Sequence, residues 1–295
     1  MALFLDAHWL AADAVMKFGT EEQKKKYIPV AANEGIFAFG LTEPDAGSDA
    51  AGLKTTAVKD GNDYVLNGRK AWITNAGVAD VYVIMAKTSP EKGVKGISAF
   101  IVEKDVPGFT VCSDEEKMGM RGSNTAGLIF EEMRVPKGNM LGQEGDGFKI
   151  AMVALDCARI SIGAIACGLS EHALEIAKNY AKERIAFGRP ISDFQAIQFK
   201  IADMVIGIEN MKLITYSVAE KYARGERFTL EAACCKVYSG ETCCKICDET
   251  IQILGGNGYS KEYPAERLYR DAKLLMIGEG TSEILRMLIG RTTLA

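Results

Sequence analysis

The alternation of apolar and polar positions divides the chain into three regions. Residues 3–18 are apolar with sparse polar positions, and a second helical pattern covers 21–32, with Thr20 as its expected N-cap. From about Phe37 the pattern changes to short β-type runs separated by Gly, Asn, Asp and Pro, and after Gly142 it stays helical. The order is therefore a helical stub, a β domain and a helical domain.

The β region is a series of short strand patterns. Asp63 to Leu66 leads into Asn67-Gly68, which is a hairpin signal, and then into Ala71 to Thr74. Further strands are expected at 81–86, 97–102, 109–111 and 127–135. Because no long helix separates these strands, they predict a compact antiparallel barrel or sandwich.

The C-terminal region has the three- and four-residue spacing of long helices. Helices are expected from 147 to about 184, from the residue after Ser192 or Asp193 to Gly225, from 229 to 254 and from 282 to 289. Long helices joined by short loops predict an antiparallel, four-helix-bundle-like domain. The expected fold class is α+β, with domains at 1–35, 36–145 and 146–295.

The composition is that of an ordinary globular protein. Of 295 residues, 48% are hydrophobic and 25% charged. A net charge of −4 gives no electrostatic reason to expect nucleic acid or an anionic membrane as a partner. No apolar run approaches the roughly 18–20 residues that a membrane span needs, and the N-terminus lacks a signal-peptide pattern. We therefore expect an intracellular protein, cytoplasmic or, in a eukaryote, in the mitochondrial matrix.

The eight cysteines do not have the spacing of a metal site. Five of them cluster between residues 234 and 247 inside one helical pattern, without paired CxxC knuckles, and the chain has only two histidines. We expect no metal, and reduced cysteines that fill space in a helix, which favours a reducing compartment.

The first candidate for chemistry is Glu279, which lies between Gly278 and Gly280. Neither neighbour has a side chain, so the carboxylate can approach a flat ligand closely. The hypothesis is a catalytic base. The alternative is a polar loop followed by an amphipathic helix.

Two further candidates lie in the β region. The loop Thr42-Glu43-Pro44 to Asp49 can present backbone N–H groups and hydroxyls to a ligand, or can be a locally capped turn. Trp72 and Thr74 lie two residues apart on one strand face, where Trp72 could pack on a planar ring while Thr74 bonds its edge. The alternative for Trp72 is a core residue.

The helical region contains two more candidates. In the stretch 184–195 the Arg184 guanidinium can bind phosphate oxygens, although a solvated arginine is the simpler reading. Residues 252–258 are rich in glycine but follow a helix and lack the GKS/T and GxGxxG spacings, so they read as a helix C-cap.

Together these motifs are specific. The order TEPxAGSD, KAWITN, RxAFGRPIxxFQxIQ, QILGGNGY and EGTSEI resembles the acyl-CoA dehydrogenase family of flavoproteins, from about Ala11 to the C-terminus, and the short-chain (butyryl-CoA) branch most. The resemblance implies FAD as cofactor and a homo-oligomer, a dimer of dimers. It also implies an acyl-CoA substrate and an electron-transfer flavoprotein as partner.

The resemblance assigns roles by position. Glu279 matches the catalytic base. Cofactor-binding positions are Leu41, Thr42, Trp72, Thr74, Arg184, Phe187, Gln195, Gln252, Gly256, Thr281 and Glu283, of which those from Arg184 to Gly256 hold FAD across a subunit interface. Substrate-binding positions are Ser48, Asp156, Arg159 and Gly280.

The implied reaction is removal of the α proton of a short acyl thioester by Glu279 while the β hydride passes to the flavin, giving trans-2-enoyl-CoA. A flavin ribityl hydroxyl and the Glu279 N–H would stabilise the enolate-like charge. Some branches carry the base on the helix beside the LDxxR arginine, but here Ala158 precedes Arg159. Many members have tyrosine where this chain has Gly278, which leaves the acyl chain length open.

Three alternatives stay open at this point. The chain could be an enoyl-CoA reductase working in the reverse direction, an acyl-CoA oxidase or a catalytically silent subunit. Two N-terminal helices are too little for a domain, and the family usually has about ninety further residues there, so we expect a fragment or a shortened product. If the protein begins at Met1, weak flavin retention and poor turnover are expected.

Overall fold

The computed structural model describes residues 2–295, which form two compact units. The first unit contains the residues up to 117 together with 121–158, and the second contains 118–120 and 159–295. The boundary at 158 falls inside one long helix.

Two helices begin the first unit. Helix α1 (Ala2–Phe18) and helix α2 (Glu21–Ala32) lie where the sequence predicts them. Thr20 caps α2: its hydroxyl accepts the Gln23 N–H at 3.2 Å, and the Gln23 side chain accepts the Thr20 N–H at 3.0 Å. One face of α1 is buried in the core, while its apolar residues Leu5, Trp9 and Met16 stay exposed.

Eight strands of the first unit form one sheet. They are β1 (Phe37–Gly40), β2 (Thr56–Asp60), β3 (Asp63–Thr74), β4 (Val81–Lys87), β5 (Ile97–Glu103), β6 (Phe109–Asp114), β7 (Thr125–Pro136) and β8 (Met140–Leu141). Their order is β6-β7-β3-β2-β4-β5-β8, with β1 paired to β4. The sheet is mixed, because β1 and β2 run parallel to β4 while the other pairs are antiparallel.

Strand β4 is buried on both faces. Val81, Val83 and Met85 pack in one core cluster with α1, and Tyr82 and Ile84 pack in a second cluster. The second cluster contains residues of β3 and β7, so two layers of the same sheet cover each other. This explains why β4 reads as a continuous apolar run without alternation.

The predicted hairpin at Asn67-Gly68 is wrong. Strand β3 runs without a turn from Asp63 to Thr74, and the hairpin turn lies earlier, at Gly61-Asn62 between the paired Asp60 and Asp63. Gly68 is needed for close approach, because a Cβ there would lie 2.5 Å from Thr55 Oγ1. A glycine in a strand interior can therefore mark a contact with a neighbouring backbone as well as a turn.

The second unit is helical. It contains the C-terminal part of α3 (Gly147–Glu183), a two-stranded hairpin of β9 (Ile185–Ala186) and β10 (Arg189–Pro190), and helices α4 (Gln195–Ala223), α5 (Thr229–Leu254), α6 (Ala265–Ala272) and α7 (Ser282–Leu294). Helix α5 has the predicted bounds. Helix α4 begins later than predicted, α7 ends later, and α6 was not predicted.

Contacts between the long helices give their directions. Along α4 and α5, Lys200 pairs with Glu249 and Lys221 with Glu231, so these two helices are antiparallel. The predicted antiparallel packing of the bundle is confirmed for this pair, and its core is formed by small and aliphatic residues of α3, α4 and α5.

Helix α3 corrects one expectation about membranes. Among the described residues it is long and apolar enough to satisfy the length and composition of a membrane span, although half of its most apolar window is buried in the structure. A core helix of a globular protein passes the same test, so one such helix is weak evidence for a span.

Candidate active site

Glu279 lies in a strained loop before α7. Its φ is 56° and that of Gly280 is 96°, so two successive residues have left-handed backbone. A non-glycine residue in this region costs on the order of 1 kcal/mol or more and persists only where surrounding contacts hold it. Thr281 ends the loop: its hydroxyl accepts the N–H of Ile284 at 3.3 Å and so caps α7.

Two buried cations hold the loop. Arg159 of α3 donates from Nε to the carbonyl oxygen of Glu279 at 3.3 Å. Lys236 of α5 donates from Nζ to the carbonyl oxygen of Gly280 at 2.6 Å. Arg159 is 6% exposed and Lys236 is fully buried. The contacts on both carbonyls explain how the left-handed conformation is maintained.

The same arrangement changes the acidity of Glu279. Burial raises the pKa of the carboxyl group, and the positive charges of Arg159 and Lys236 oppose this effect without cancelling it. Burial also lowers the pKa of Lys236 to about 8, against the opposite pull of Glu279. The result is a carboxylate of raised basicity with two cations close to it, which suits removal of a proton from carbon.

The loop after β1 is held by a buried ion pair in the first unit. The Glu43 carboxylate lies 2.8 Å from Lys70 Nζ, and it also accepts the N–H groups of Lys54 at 2.5 Å and Thr55 at 3.0 Å. Lys70 donates in addition to the carbonyl of Leu41 at 3.2 Å. The pair therefore joins this loop, Thr42 to Asp49 (the TEP loop), to strand β3, which contains Trp72.

Trp72 is not a core residue. It is 59% exposed, at φ 60°, in a β-bulge of β3 where the pairing with β7 shifts between Lys70 and Ile73. Thr74 is partly exposed, and so is Thr42, whose carbonyl accepts the Ala71 N–H at 2.9 Å. These contacts bring the Trp72 bulge and the loop at Thr42 together, with the ring free to meet a planar ligand.

The other predicted residues of the first unit are placed differently. Leu41 is buried at the base of the TEP loop, whereas Ser48 is exposed beyond it. Asp156 is buried on α3, three residues before Arg159.

The predicted pyrophosphate positions lie around the hairpin after α3. Arg184 is exposed, Gln195 is the exposed first residue of α4, and Phe187 is 96% exposed at φ 53°. The rings of Phe187 and Phe194 lie edge to face, at a centroid distance of 6.1 Å.

Gln252 and Gly256 lie at the C-terminal end of α5 and are also exposed. Gly255 caps the helix at φ 61°, which agrees with the predicted C-cap. Asn257 donates to the Tyr180 hydroxyl at 2.8 Å, so this turn lies beside the last turn of α3, just before Arg184. Along α5, sixteen residues or roughly 24 Å of helix separate Gln252 from Lys236.

The predicted residues therefore fall into separate groups. Within the second unit, Arg159, Glu279, Gly280 and Thr281 come together, while Arg184, Phe187, Gln195, Gln252 and Gly256 are exposed, at the hairpin after α3, the start of α4 and the end of α5. Glu283 is exposed on the first turn of α7. Lys236 and the pair of Glu43 with Lys70 were not predicted, because a lysine in a strand or helix pattern ordinarily points to solvent.

Comparison with known proteins gives the family. The family model for "Acyl-CoA dehydrogenase, middle domain" matches residues 38–133, and that for "Acyl-CoA dehydrogenase, C-terminal domain" matches residues 145–294. The chain belongs to the acyl-CoA dehydrogenase family. It is thus a member of a class of flavin-dependent oxidoreductases, and the fold and family predicted from the sequence are confirmed.

Individual relatives agree with this assignment. An acyl-CoA dehydrogenase of Bacillus subtilis (strain 168) is 50% identical over 283 residues, which are 96% of this chain and 75% of the relative. An acryloyl-CoA reductase (NADH) of Anaerotignum propionicum is 50% identical over 293 residues, or 98% of this chain and 74% of the relative. The structure of butyryl-CoA dehydrogenase from Megasphaera elsdenii superimposes with a TM-score of 0.98 at 45% identity, covering 99% of this chain and 77% of that one.

Proposed function

We propose that this acyl-CoA dehydrogenase family member binds FAD and converts a short-chain acyl-CoA to the trans-2-enoyl-CoA, with Glu279 as the base. The observation that carries the proposal is the strained loop at Glu279, whose carbonyl groups are held by two buried cations and where burial raises the pKa of the carboxyl group. Such an arrangement costs stability, which is typical of a functional site.

The residues of the first unit fit a flavin. The exposed Trp72 ring offers a flat apolar surface. Two partly exposed threonines are near it in the chain or in space: Thr74 is on the same strand, and Thr42 is in the loop whose main chain is bonded to Ala71. In the proposal Leu41, Thr42, Trp72 and Thr74 contact the ring system, and Thr281 and Glu283 lie near the dinucleotide. When bound, the flavin would accept the β hydride of the thioester.

Glu279 would remove the proton on the α carbon. Burial raises the pKa of the Glu279 carboxyl group, which makes the carboxylate a stronger base, while the positive charges of Arg159 and Lys236 oppose this rise. The Glu279 N–H would donate to the thioester oxygen, where negative charge develops as the proton leaves. Ser48, Asp156, Arg159 and Gly280 are proposed to contact the substrate, and Ala158 leaves no carboxylate at the position before Arg159.

A second copy of the chain is proposed to complete the cofactor site. Arg184, Phe187, Gln195, Gln252 and Gly256 are exposed, and Gln252 lies roughly 24 Å along α5 from Lys236, the residue that binds the loop at Glu279, so they suit a dinucleotide bound to a neighbouring subunit. We also propose a dimer of dimers, with electron-transfer flavoprotein as the electron acceptor. The cytoplasmic or mitochondrial-matrix location stays a prediction.

The reverse reaction is a second candidate. Identity to the acryloyl-CoA reductase (NADH) is 50%, the same as to the Bacillus acyl-CoA dehydrogenase. Both directions use the same proton and hydride positions, so the residues do not distinguish them. Steady-state rates with butyryl-CoA plus electron-transfer flavoprotein, compared with crotonyl-CoA plus a reduced donor, decide the direction.

The proposal is tested by anaerobic titration of the purified flavoprotein with acyl-CoAs of increasing length. We expect loss of the oxidised flavin absorbance with butyryl-CoA and weaker bleaching with long chains. Peroxide release in air would indicate an oxidase. A colourless protein that cannot be reconstituted with FAD, or a yellow one that no acyl-CoA bleaches, contradicts the proposal.

A further inference from the structure

Lys236 is a fully buried lysine that binds the main chain of the loop at Glu279. Its side chain has no exposed surface. Lysine is almost never fully buried unless its charge is paired. Here the ammonium donates to the carbonyl oxygen of Gly280 at 2.6 Å. The hydrogen bond to the loop therefore offsets part of the free-energy cost of burying this charge.

The peptide group before the one that Lys236 binds is also held by a buried cation. Arg159 binds the carbonyl of Glu279, and Lys236 binds the carbonyl of Gly280, so two successive peptide groups are each fixed by a buried cation. The peptides are trans, and a trans peptide directs its N–H opposite to its C=O. Fixing both oxygens thus also fixes the direction of the Gly280 and Thr281 N–H groups.

Helix α5 is built to approach this loop closely. Gly240 lies one turn after Lys236 on the same face, and a Cβ at Gly240 would lie 2.6 Å from the carbonyl oxygen of Leu275. Leu275 belongs to the 3₁₀ turn Lys273–Met276 that leads into the loop. One face of α5 therefore supports both the start of the loop, through Gly240, and its tip, through Lys236.

The charges around Lys236 come from three other elements. Glu279 attracts its ammonium from the loop and Arg159 repels it from α3, while Glu283 of α7 and Glu241 of α5 attract it more weakly. Glu241 is itself paired with Arg286 of α7. Glu279 is faced by Arg159 and Lys236. The lysine is thus one of two cations that act on the Glu279 carboxylate.

We propose that Lys236 is a positioning residue for the base: it holds the Gly280 carbonyl and places a second buried positive charge near the Glu279 carboxylate. This role rests on the proposed function of Glu279. Burial sets the pKa of Lys236 to about 8, so the charge is present at neutral pH and is lost in mild alkali. Both effects act through Glu279, and Lys236 itself does not need to touch the substrate.

The test compares three variants of the FAD-loaded protein. Lys236→Met removes both charge and donor, Lys236→Gln removes the charge but keeps a donor, and Lys245→Met removes an exposed lysine from the same helix as the matched control. The rate of flavin bleaching by butyryl-CoA is measured by stopped flow from acid to alkaline pH. The rate should fall on the acid side of this profile as the base becomes protonated; we call this fall the acid limb. In both Lys236 variants we expect the midpoint of the acid limb to move to a pH about one unit higher, because one positive charge near the Glu279 carboxylate is gone. Lys245→Met should leave the limb in place.

Hydrogen–deuterium exchange gives a readout that does not depend on turnover. Exchange of the segment 278–284 should be about tenfold faster in Lys236→Met than in the wild type or in Lys245→Met, since a contact that holds the loop is lost. Lys236→Gln, which keeps a donor, should exchange at an intermediate rate. If Lys236→Met does not fold, Lys236→Gln carries both measurements.

The two proposals fail in different ways. A Glu279→Gln variant that still bleaches with butyryl-CoA overturns the assignment of the base. An acid limb that stays in place in both Lys236 variants overturns the role of Lys236, even if the rate falls at every pH, because a purely structural residue changes the height of the profile and not its position. Unchanged exchange of the loop overturns the positioning contact.

Discussion

The Lys70 ammonium lies 2.8 Å from the Glu43 carboxylate, and both side chains are buried, at 0% and 5% exposure. This pair joins the TEP loop to the strand of Trp72. Breaking a buried pair by removing one partner leaves an uncompensated charge, at a cost of about 3–5 kcal/mol. We therefore predict that Lys70→Met lowers the free energy of unfolding by about this amount, as measured by urea denaturation of the apoprotein.

The matched control for that measurement is the exposed pair of Lys54 and Asp45, at a similar distance of 3.0 Å. Lys54→Met should change stability by less than about 1 kcal/mol. A Lys70→Met protein as stable as Lys54→Met would show that the buried pair does not hold the loop.

The same pair predicts a dependence of stability on pH. Burial raises the pKa of Glu43, but the Lys70 charge and the hydrogen bonds of Thr55 and Lys54 lower it more, so the folded-state pKa lies below the ordinary 4.5. The stability that ionised Glu43 contributes is thus present above pH 4.5 and is lost as the pH falls through the folded-state pKa. The stability difference between wild type and Glu43→Gln should shrink on acidification, and a difference independent of pH below 5 would contradict this reading.

Trp72 offers a matched comparison for cofactor binding, since the chain has two tryptophans of nearly equal exposure, Trp9 at 57% and Trp72 at 59%. Replacing Trp72 by leucine should raise the dissociation constant of FAD about tenfold, because aromatic stacking contributes on the order of 1 kcal/mol. Trp9→Leu should leave FAD affinity unchanged. The measurement is quenching of flavin fluorescence on binding, and equal effects of the two substitutions would remove Trp72 from the flavin site.

The acyl specificity is predicted to depend on Gly278. A Cβ at this position meets only Leu274, at 3.7–4.0 Å, and the φ of Gly278 is not left-handed, so the loop can accept a side chain. Gly278→Tyr should lower kcat/KM for longer or branched acyl-CoAs relative to butyryl-CoA by at least about tenfold. An unchanged ratio would place Gly278 outside the acyl pocket.

Gly280→Ala is the contrasting variant. Gly280 has a φ of 96°, and its Cβ would lie 3.4 Å from Leu285 and 3.7 Å from Arg159. Alanine there should destabilise the protein by about 1–2 kcal/mol and slow the reaction with every acyl-CoA, without changing specificity.

Much of the fold follows from local patterns, because its signals act over short distances. The capping box of Thr20 and Gln23 and the end of α5 at Gly255 each depend on neighbours within four residues. The predicted hairpin at Asn67-Gly68 was wrong because the role of Gly68 is decided by its close contact with Thr55, thirteen positions earlier in the chain. Local propensity contains no information about that contact.

The site shows the same division. The loop at Glu279 could be found from its glycines, whereas Lys236 and Lys70 could not be told from solvated lysines in the sequence. Lys236 is buried by a loop 44 residues later, and Lys70 by a carboxylate 27 residues earlier. Burial of a charged group is decided by the tertiary contacts that pair it.

The central claim is that Glu279 removes the α proton. The most direct measurement is the anaerobic reaction of Glu279→Gln, loaded with FAD, with butyryl-CoA, followed at the oxidised flavin band. Glutamine keeps the size of the side chain but cannot act as a base, so we predict that FAD and thioester still bind and that the flavin is not bleached on the time scale of the wild type. Bleaching of the Glu279→Gln protein at a rate near that of the wild type would contradict the account.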